Sequence, residues 1–145
     1  MSHAEIVAFL EEQRTITIAT IGKDGWPHLM PLWYVSRDGA LMAWTFAKSQ
    51  KVRNLERDPR CTLQVETGTE YQELRGVMFK AEAVIHRDED AVWTIGADIA
   101  RRYGGALVTP EVEAMLRKQA AKRVGLEFRV RETASWDHRK LAGTY

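Results

Sequence analysis

The segment LMAWTFAKSQKVRNLERDPRCTLQV, residues 41–65, predicts a strand that leads directly into a short helix and then into another strand. Ser49 is a good N-cap residue for that helix, and Lys51 and Arg53 place two cations in its first turn and a half. A helix start that combines free N–H groups, a hydroxyl and cations is typical of an anion site, most often for phosphate. The other interpretation is that Ser49 only caps the helix and the two cations form a solvated face.

On either side of this segment, β-branched and alternating stretches predict further strands. Pro27 and Pro31 interrupt one of them, which predicts an edge segment, a bulge or an open face, because proline lacks a ladder donor. The stretch 71–86 is predicted to be either two strands or a single strand bent at Gly76. The predicted strands cover residues 15–21, 26–35, 40–46, 60–66, 71–86 and 124–130.

Helical patterns lie at the N-terminus and before the last strand. Residues 6–14 predict a short lid helix, Asp88 caps a helix that extends to about Tyr103, and Thr109-Pro110 starts another that ends near Lys122. A polar tail is expected from Ser135 onward. The pattern predicts a mainly β protein with helices, of the α+β class: one domain over residues 1–145, built on a six- to seven-stranded antiparallel barrel with peripheral helices.

Composition excludes several functional classes. The net charge of +1 gives no field that would attract nucleic acid or a membrane surface, so no partner of either kind is expected. Cys61 is the only cysteine, and His3, His28, His86 and His138 lack metal-ligand spacing, so no metal site is expected. No stretch is long and apolar enough to span a membrane and no basic signal region is visible, which predicts a cytoplasmic protein.

The stretch from Thr17 to Ile85 resembles the split-barrel flavoproteins that include pyridoxamine 5′-phosphate oxidase and the flavin- and deazaflavin-dependent oxidoreductases of actinobacteria. Ser135-Trp136-Asp137 also resembles the end of the deazaflavin-type members. The residues that carry the resemblance are Gly25-Trp26-Pro27, Thr45, Ser49-x-Lys51, Asn54-Leu55, Asp58-Pro59-Arg60 and Arg75-Gly76-Val77.

The resemblance implies a homodimer with two coenzyme sites at its interface. Ser49 and Lys51 would face the coenzyme phosphate, while Thr45 and residues 30–32 would lie along the ring. Arg53 at the helix start, Asn54 and the aromatic Phe46 are added to this set. The predicted coenzyme-binding residues are therefore Met30, Pro31, Leu32, Thr45, Phe46, Ser49, Lys51, Arg53 and Asn54.

Two departures from the oxidases concern the choice of coenzyme. The pyridoxamine phosphate oxidases carry an Arg and a Lys on the second strand that bind FMN. The aligned residues here are Met30 and Val35. Neither side chain donates a charged hydrogen bond. The chain is therefore more similar to the branch that uses the 8-hydroxy-5-deazaflavin coenzyme F-420, with FMN as the alternative coenzyme.

The sequence predicts an F-420-dependent oxidoreductase that transfers a hydride between the coenzyme and an unsaturated small molecule. No side chain stands out as catalytic. The alternatives are an FMN-dependent protein similar to pyridoxamine phosphate oxidase, or a carrier of flavin, deazaflavin or heme without turnover. The aromatic residues of strands two and three either form a coenzyme wall or pack in the core, and Trp136 in the polar tail is interpreted as closing over the partner's site.

Overall fold

A computed structural model describes residues 1–37, 39–105 and 109–141. It contains seven strands and four α-helices. The strands are β1 (Ile16–Ile21), β2 (Pro27–Leu32), β3 (Val35–Arg37), β4 (Ala40–Phe46), β5 (Arg60–Thr67), β6 (Arg75–His86) and β7 (Arg123–Asp137), and the helices are α1 (His3–Glu12), α2 (Gln50–Arg57), α3 (Glu89–Gly104) and α4 (Pro110–Ala120).

The seven strands form one antiparallel sheet in the order β2-β1-β5-β6-β7-β4-β3. This arrangement confirms the α+β class and the predicted number of strands. The main core lies between the inner face of the sheet and two helices, since Phe9 of α1 and Val52 and Leu55 of α2 belong to its cluster of buried side chains. None of the helices in the described ranges is long and apolar enough to cross a membrane.

The proline-containing segment is divided between two strands. β2 ends at Leu32 and stands at the edge of the sheet, where Pro27 and Pro31 remove no ladder bond that a second neighbour needs. The predicted continuous strand 26–35 is therefore wrong, although the predicted edge is confirmed. The break has a physical cause: the side chain of Tyr34 is fully buried and its hydroxyl donates to the Leu10 carbonyl at 2.6 Å, which draws the chain inward before Val35 starts β3.

The last strand is twice as long as its pattern predicts. β7 continues to Asp137 and pairs with β6 from Gly125 to Asp137, with one irregularity between Lys80 and Ala81, so the predicted polar tail from Ser135 is wrong. Residues 129–134 are all exposed, which removes the hydrophobic alternation although the backbone pairing continues.

Trp136 has a structural role within its own chain. It is paired with Gly76, and a Cβ atom on Gly76 would overlap the indole ring. β6 is continuous through Gly76, and the residues before it form a short 3₁₀ helix, Tyr71–Glu73. The glycine therefore makes room for Trp136 and does not bend the strand.

A second, smaller cluster of apolar side chains joins α3 to the sheet. Val35 and Met42 pack there against Ile95 and Ile99, with Trp44 partly buried beside them. At the centre of this contact α3 carries Gly96, where an added Cβ would overlap the Trp44 ring. The small residue lets the helix approach β4 closely.

We expect Gly96→Ala to lower the free energy of unfolding by about 1–3 kcal/mol, because the new methyl group overpacks the contact with Trp44. Urea denaturation measures the change. Gly104→Ala is the matched control, since no described atom outside its own helix lies within 4 Å of its Cβ position, and in a helix alanine is favoured over glycine by up to about 1 kcal/mol. Equal effects of the two substitutions would contradict the close packing of α3 on Trp44.

Candidate functional site

Ser49 occupies the N-cap position of α2, as the sequence predicts. Its backbone is extended, but its side chain forms no capping hydrogen bond, and the hydroxyl oxygen is buried without a partner among the described residues. Buried hydroxyls in proteins are almost always hydrogen-bonded, so an unsatisfied one at a helix start is suited to an external acceptor or donor. The backbone N–H groups of the first helical turn lie beside it.

Lys51 follows in the first turn of α2 and is only 7% exposed. Its ammonium group donates to the hydroxyl oxygen of Thr45 at 3.1 Å. In the part of the chain that the structure describes, no carboxylate lies within ion-pair distance of it. Burial lowers the pKa of Lys51 from its ordinary value. A buried ammonium without a counter-ion is unfavourable, and an anion bound beside it would offset that cost.

The structure does not bring Arg53 and Asn54 to the same point as Lys51. Arg53 is exposed, because two helical residues span about 200° and place it on the opposite side of α2. Asn54 is completely buried. Its amide nitrogen donates to Thr20 Oγ1 at 3.0 Å, and its oxygen accepts from Gln50 Nε2 at 2.9 Å. Asn54 thus anchors α2 to β1.

Lys51 lines a cavity of about 410 Å³ bounded by the end of β2, by β4 and by helices α3 and α4. Four of the nine predicted residues line it, namely Pro31, Leu32, Thr45 and Lys51. Ser49, two residues before Lys51 in the chain, is not among the lining residues. Met30 and Phe46 are not among them either and are 40% and 56% exposed. The cavity walls are mainly apolar, with Trp33 and Trp44 as the largest side chains.

Arg123 also lines this cavity, and the sequence reasoning missed it. It is the first residue of β7 and is paired with Phe46 of β4. Its guanidinium carbon lies 4.3 Å from the Phe46 ring centroid and 4.6 Å from that of Trp44, at cation–π distance. The Nε atom is buried without a partner in the described residues, and burial lowers the pKa of Arg123. No local signal marks it, because its neighbours come from a distant strand.

The residues aligned with the oxidase cations offer no positive charge. Val35 is 5% exposed and packs in the cluster between β3, β4 and α3. Met30 is partly exposed on the edge strand. The positive charges around the described cavity therefore come from Lys51 and Arg123.

A second cavity, of about 600 Å³, lies between the β1–β2 hairpin and α2. His28 lines it, and its Nδ1 atom is buried without a partner in the described residues. Within the same described ranges, no group of three His, Cys, Asp or Glu side chains is arranged to hold a metal ion.

Comparison with known proteins identifies relatives over nearly the whole chain. The family model of pyridoxamine 5′-phosphate oxidase matches residues 2–137. The crystal structure of the conserved hypothetical protein Rv2991 from Mycobacterium tuberculosis is 45% identical with a TM-score of 0.92, and the match covers 100% of this chain and 90% of that one.

Two more distant structures share the fold alone. An F-420 reductase is 22% identical, with a TM-score of 0.68 and coverage of 88% of this chain and 94% of that one. HutZ, the heme storage protein from Vibrio cholerae, is 18% identical, with a TM-score of 0.72 and coverage of 93% of both chains. No curated protein matches the chain.

Proposed function

Because the chain belongs to the pyridoxamine 5′-phosphate oxidase family, whose model matches residues 2–137, we propose that it binds the phosphorylated deazaflavin coenzyme F-420 and acts as an oxidoreductase. The family assignment also confirms the split-barrel fold predicted from the sequence. The observation that carries the proposal is the buried ammonium of Lys51, which faces a cavity and has no carboxylate partner in the described chain.

The residues at the start of α2 fit a phosphate group. A phosphate oxygen accepts hydrogen bonds from the unsatisfied Ser49 hydroxyl, from the Lys51 ammonium and from backbone N–H groups of the first turn. In this proposal Ser49 and Lys51 hold the phosphate, and Arg53 contributes only the field of an exposed charge. Asn54 acts indirectly, by fixing α2 against β1.

The ring of the coenzyme would lie against the strand residues that were predicted from the sequence to bind it. Pro31, Leu32 and Thr45 line the cavity, and Met30 and Phe46 extend the apolar surface beside it. The choice of F-420 over FMN rests on Met30 of β2 and Val35 of β3, which stand where the oxidases carry the cations that bind FMN. The F-420 reductase among the structural neighbours is consistent with this choice.

The coenzyme would supply the hydride chemistry, and the protein would supply orientation and a dry pocket. Around the cavity, the described lining residues include no carboxylate, imidazole or phenol. In this proposal the Lys51 ammonium is bound to the phosphate, so a proton needed to complete reduction of an unsaturated substrate would come from solvent. We assign no catalytic side chain.

A described lining without a carboxylate, imidazole or phenol also fits a second candidate function, a carrier that holds a flavin, deazaflavin or heme without turnover. The heme storage protein HutZ shares the fold. The two functions differ in one observable: only the oxidoreductase turns over reduced coenzyme when an α,β-unsaturated carbonyl compound is added.

A homodimer with the coenzyme sites at its interface is part of the proposal. The edge strand and its hairpin expose large apolar side chains, including Trp26 at 76%, Leu29 at 59% and Met30 at 40%. Covering such a surface with a second copy would bury it from water. Sedimentation equilibrium should give twice the monomer mass of 16.6 kDa.

Titration of the purified protein with each coenzyme tests the function. We expect F-420 to bind with micromolar or tighter affinity and FMN to bind more weakly, followed by absorbance and fluorescence of the coenzyme. If FMN binds with micromolar affinity and F-420 does not bind, the choice of F-420 is wrong and FMN is the coenzyme. Failure of both to bind would overturn the proposed function.

A further inference from the structure

Arg123 is held in place by aromatic side chains and has no acidic partner among the described residues. Its guanidinium lies against the rings of Phe46 and Trp44, and none of the ion pairs among the described residues includes it. Every other arginine of β7 pairs with a carboxylate: Arg129 with Glu127 and Arg131 with Glu82. A guanidinium fixed in this way loses little conformational entropy when it binds a planar anion through two N–H groups.

The two cations of the cavity lie on opposite faces of β4. Lys51 is bonded to Thr45, whereas Arg123 stacks on Trp44 and Phe46, and successive residues of a strand point to opposite faces. The cavity includes residues from both faces. One compact phosphate is therefore poorly placed to satisfy both cations, and two separate anionic groups fit the arrangement better.

The cavity that Arg123 lines also has large apolar side chains in its wall. Trp33 is 57% exposed and stacks on Tyr103, with ring centroids 4.5 Å apart and planes 9° apart. Met115 of α4 is 50% exposed and lines the same cavity. These side chains offer a surface for the apolar body of a small ligand.

We propose that Arg123 binds the carboxylate of the substrate, and that the substrate class is a small planar unsaturated carboxylic acid. This assignment rests on the proposed function. The coenzyme phosphate is there bound at Ser49 and Lys51, which leaves Arg123 for the substrate. The carboxylate would receive hydrogen bonds from the guanidinium, and the planar body would lie along the tryptophan-lined wall.

Calorimetric titration of the full chain with trans-cinnamate and with its uncharged analogue cinnamamide tests this assignment. We expect cinnamate to bind roughly tenfold or more tightly than cinnamamide, and Arg123→Gln to weaken cinnamate binding by roughly 10- to 100-fold. Arg123→Lys should recover only part of the loss, because an ammonium lacks the planar fork. Arg129→Gln, on the same strand but exposed and paired with Glu127, is the matched control and should leave the affinity unchanged.

Coenzyme titration of the same variants separates this inference from the proposed function. If Arg123→Gln loses F-420 binding instead of cinnamate binding, Arg123 belongs to the coenzyme site and the carboxylate assignment is wrong. Equal affinities of the wild type for cinnamate and cinnamamide would also overturn it. Cinnamate binding that depends on Arg123 in a protein that binds neither coenzyme would leave the carboxylate site standing and refute the proposed function. Unfolding curves of each variant check that the fold is retained.

Discussion

Lys51→Met is expected to weaken F-420 binding by roughly 10- to 150-fold, the effect of removing a charge-assisted hydrogen bond of about 1.5–3 kcal/mol. Methionine keeps the length and apolar stem of lysine but removes the ammonium that lies buried beside Thr45. Because that ammonium has no carboxylate partner in the described chain, we expect the free energy of unfolding at pH 7 to stay within about 1 kcal/mol of the wild type. Coenzyme titration and urea denaturation measure the two quantities.

The control is Lys118→Met, which removes the same charge from an exposed position of α4. We expect it to change neither quantity. Arg53→Met tests whether the neighbouring cation of α2 is a ligand, as the sequence predicted, or only an exposed charge, in which case the affinity changes less than about threefold. An unchanged affinity in Lys51→Met would refute the phosphate site.

The pH dependence of Lys51 follows from its lowered pKa. Below the lowered pKa, Lys51 is protonated in both the folded and the unfolded protein. The free-energy cost of burying its charge is then fully present. Between the lowered value and the ordinary 10.5, the unfolded chain binds more protons than the folded one, so the free energy of unfolding rises with pH. Wild-type stability should therefore rise relative to Lys51→Met over that window, while F-420 affinity of the wild type falls as the ammonium loses its proton.

Asn54→Ala is expected to lower the free energy of unfolding by about 1–3 kcal/mol, because it removes a completely buried amide that bonds to Thr20 and Gln50. The substitution removes a hydrogen-bond donor to the buried Thr20 hydroxyl of β1 and the acceptor of the exposed Gln50 amide of α2. Thermal or urea unfolding measures the loss. Coenzyme affinity of the folded variant should fall much less than in Lys51→Met, since Asn54 supports α2 and does not reach the cavity that Lys51 lines.

Gln72→Ala is the matched control, because it removes an amide from an exposed position in the 3₁₀ helix Tyr71–Glu73. Its effect on stability should lie within about 0.5 kcal/mol. If Asn54→Ala kept the stability of the wild type but lost coenzyme binding, Asn54 would be a direct ligand, as the sequence proposed.

Local patterns predicted most elements of this protein. The predicted helix starts agree with the structure, in which the N-cap residues are Ser49 for α2, Asp88 for α3 and Thr109 for α4. Local sequence can predict a helix start because it depends on a few neighbouring residues. The alternation of apolar residues likewise located β1, β4 and β5. The second half of β7 lacks that alternation, and its pairing with β6 depends on a partner strand far away in the chain.

The sequence by itself determined the α+β split barrel and predicted a candidate anion site at the start of α2, since both depend on short-range periodicity and on the chemistry of Ser49 and Lys51. Only the tertiary structure decided which cations share a cavity. It separated Arg53 from Lys51 across the helix and placed Arg123 against Phe46 and Trp44 through the register of β4 with β7. Strand register is set by long-range packing, and no local pattern specifies which distant side chain will face a given residue.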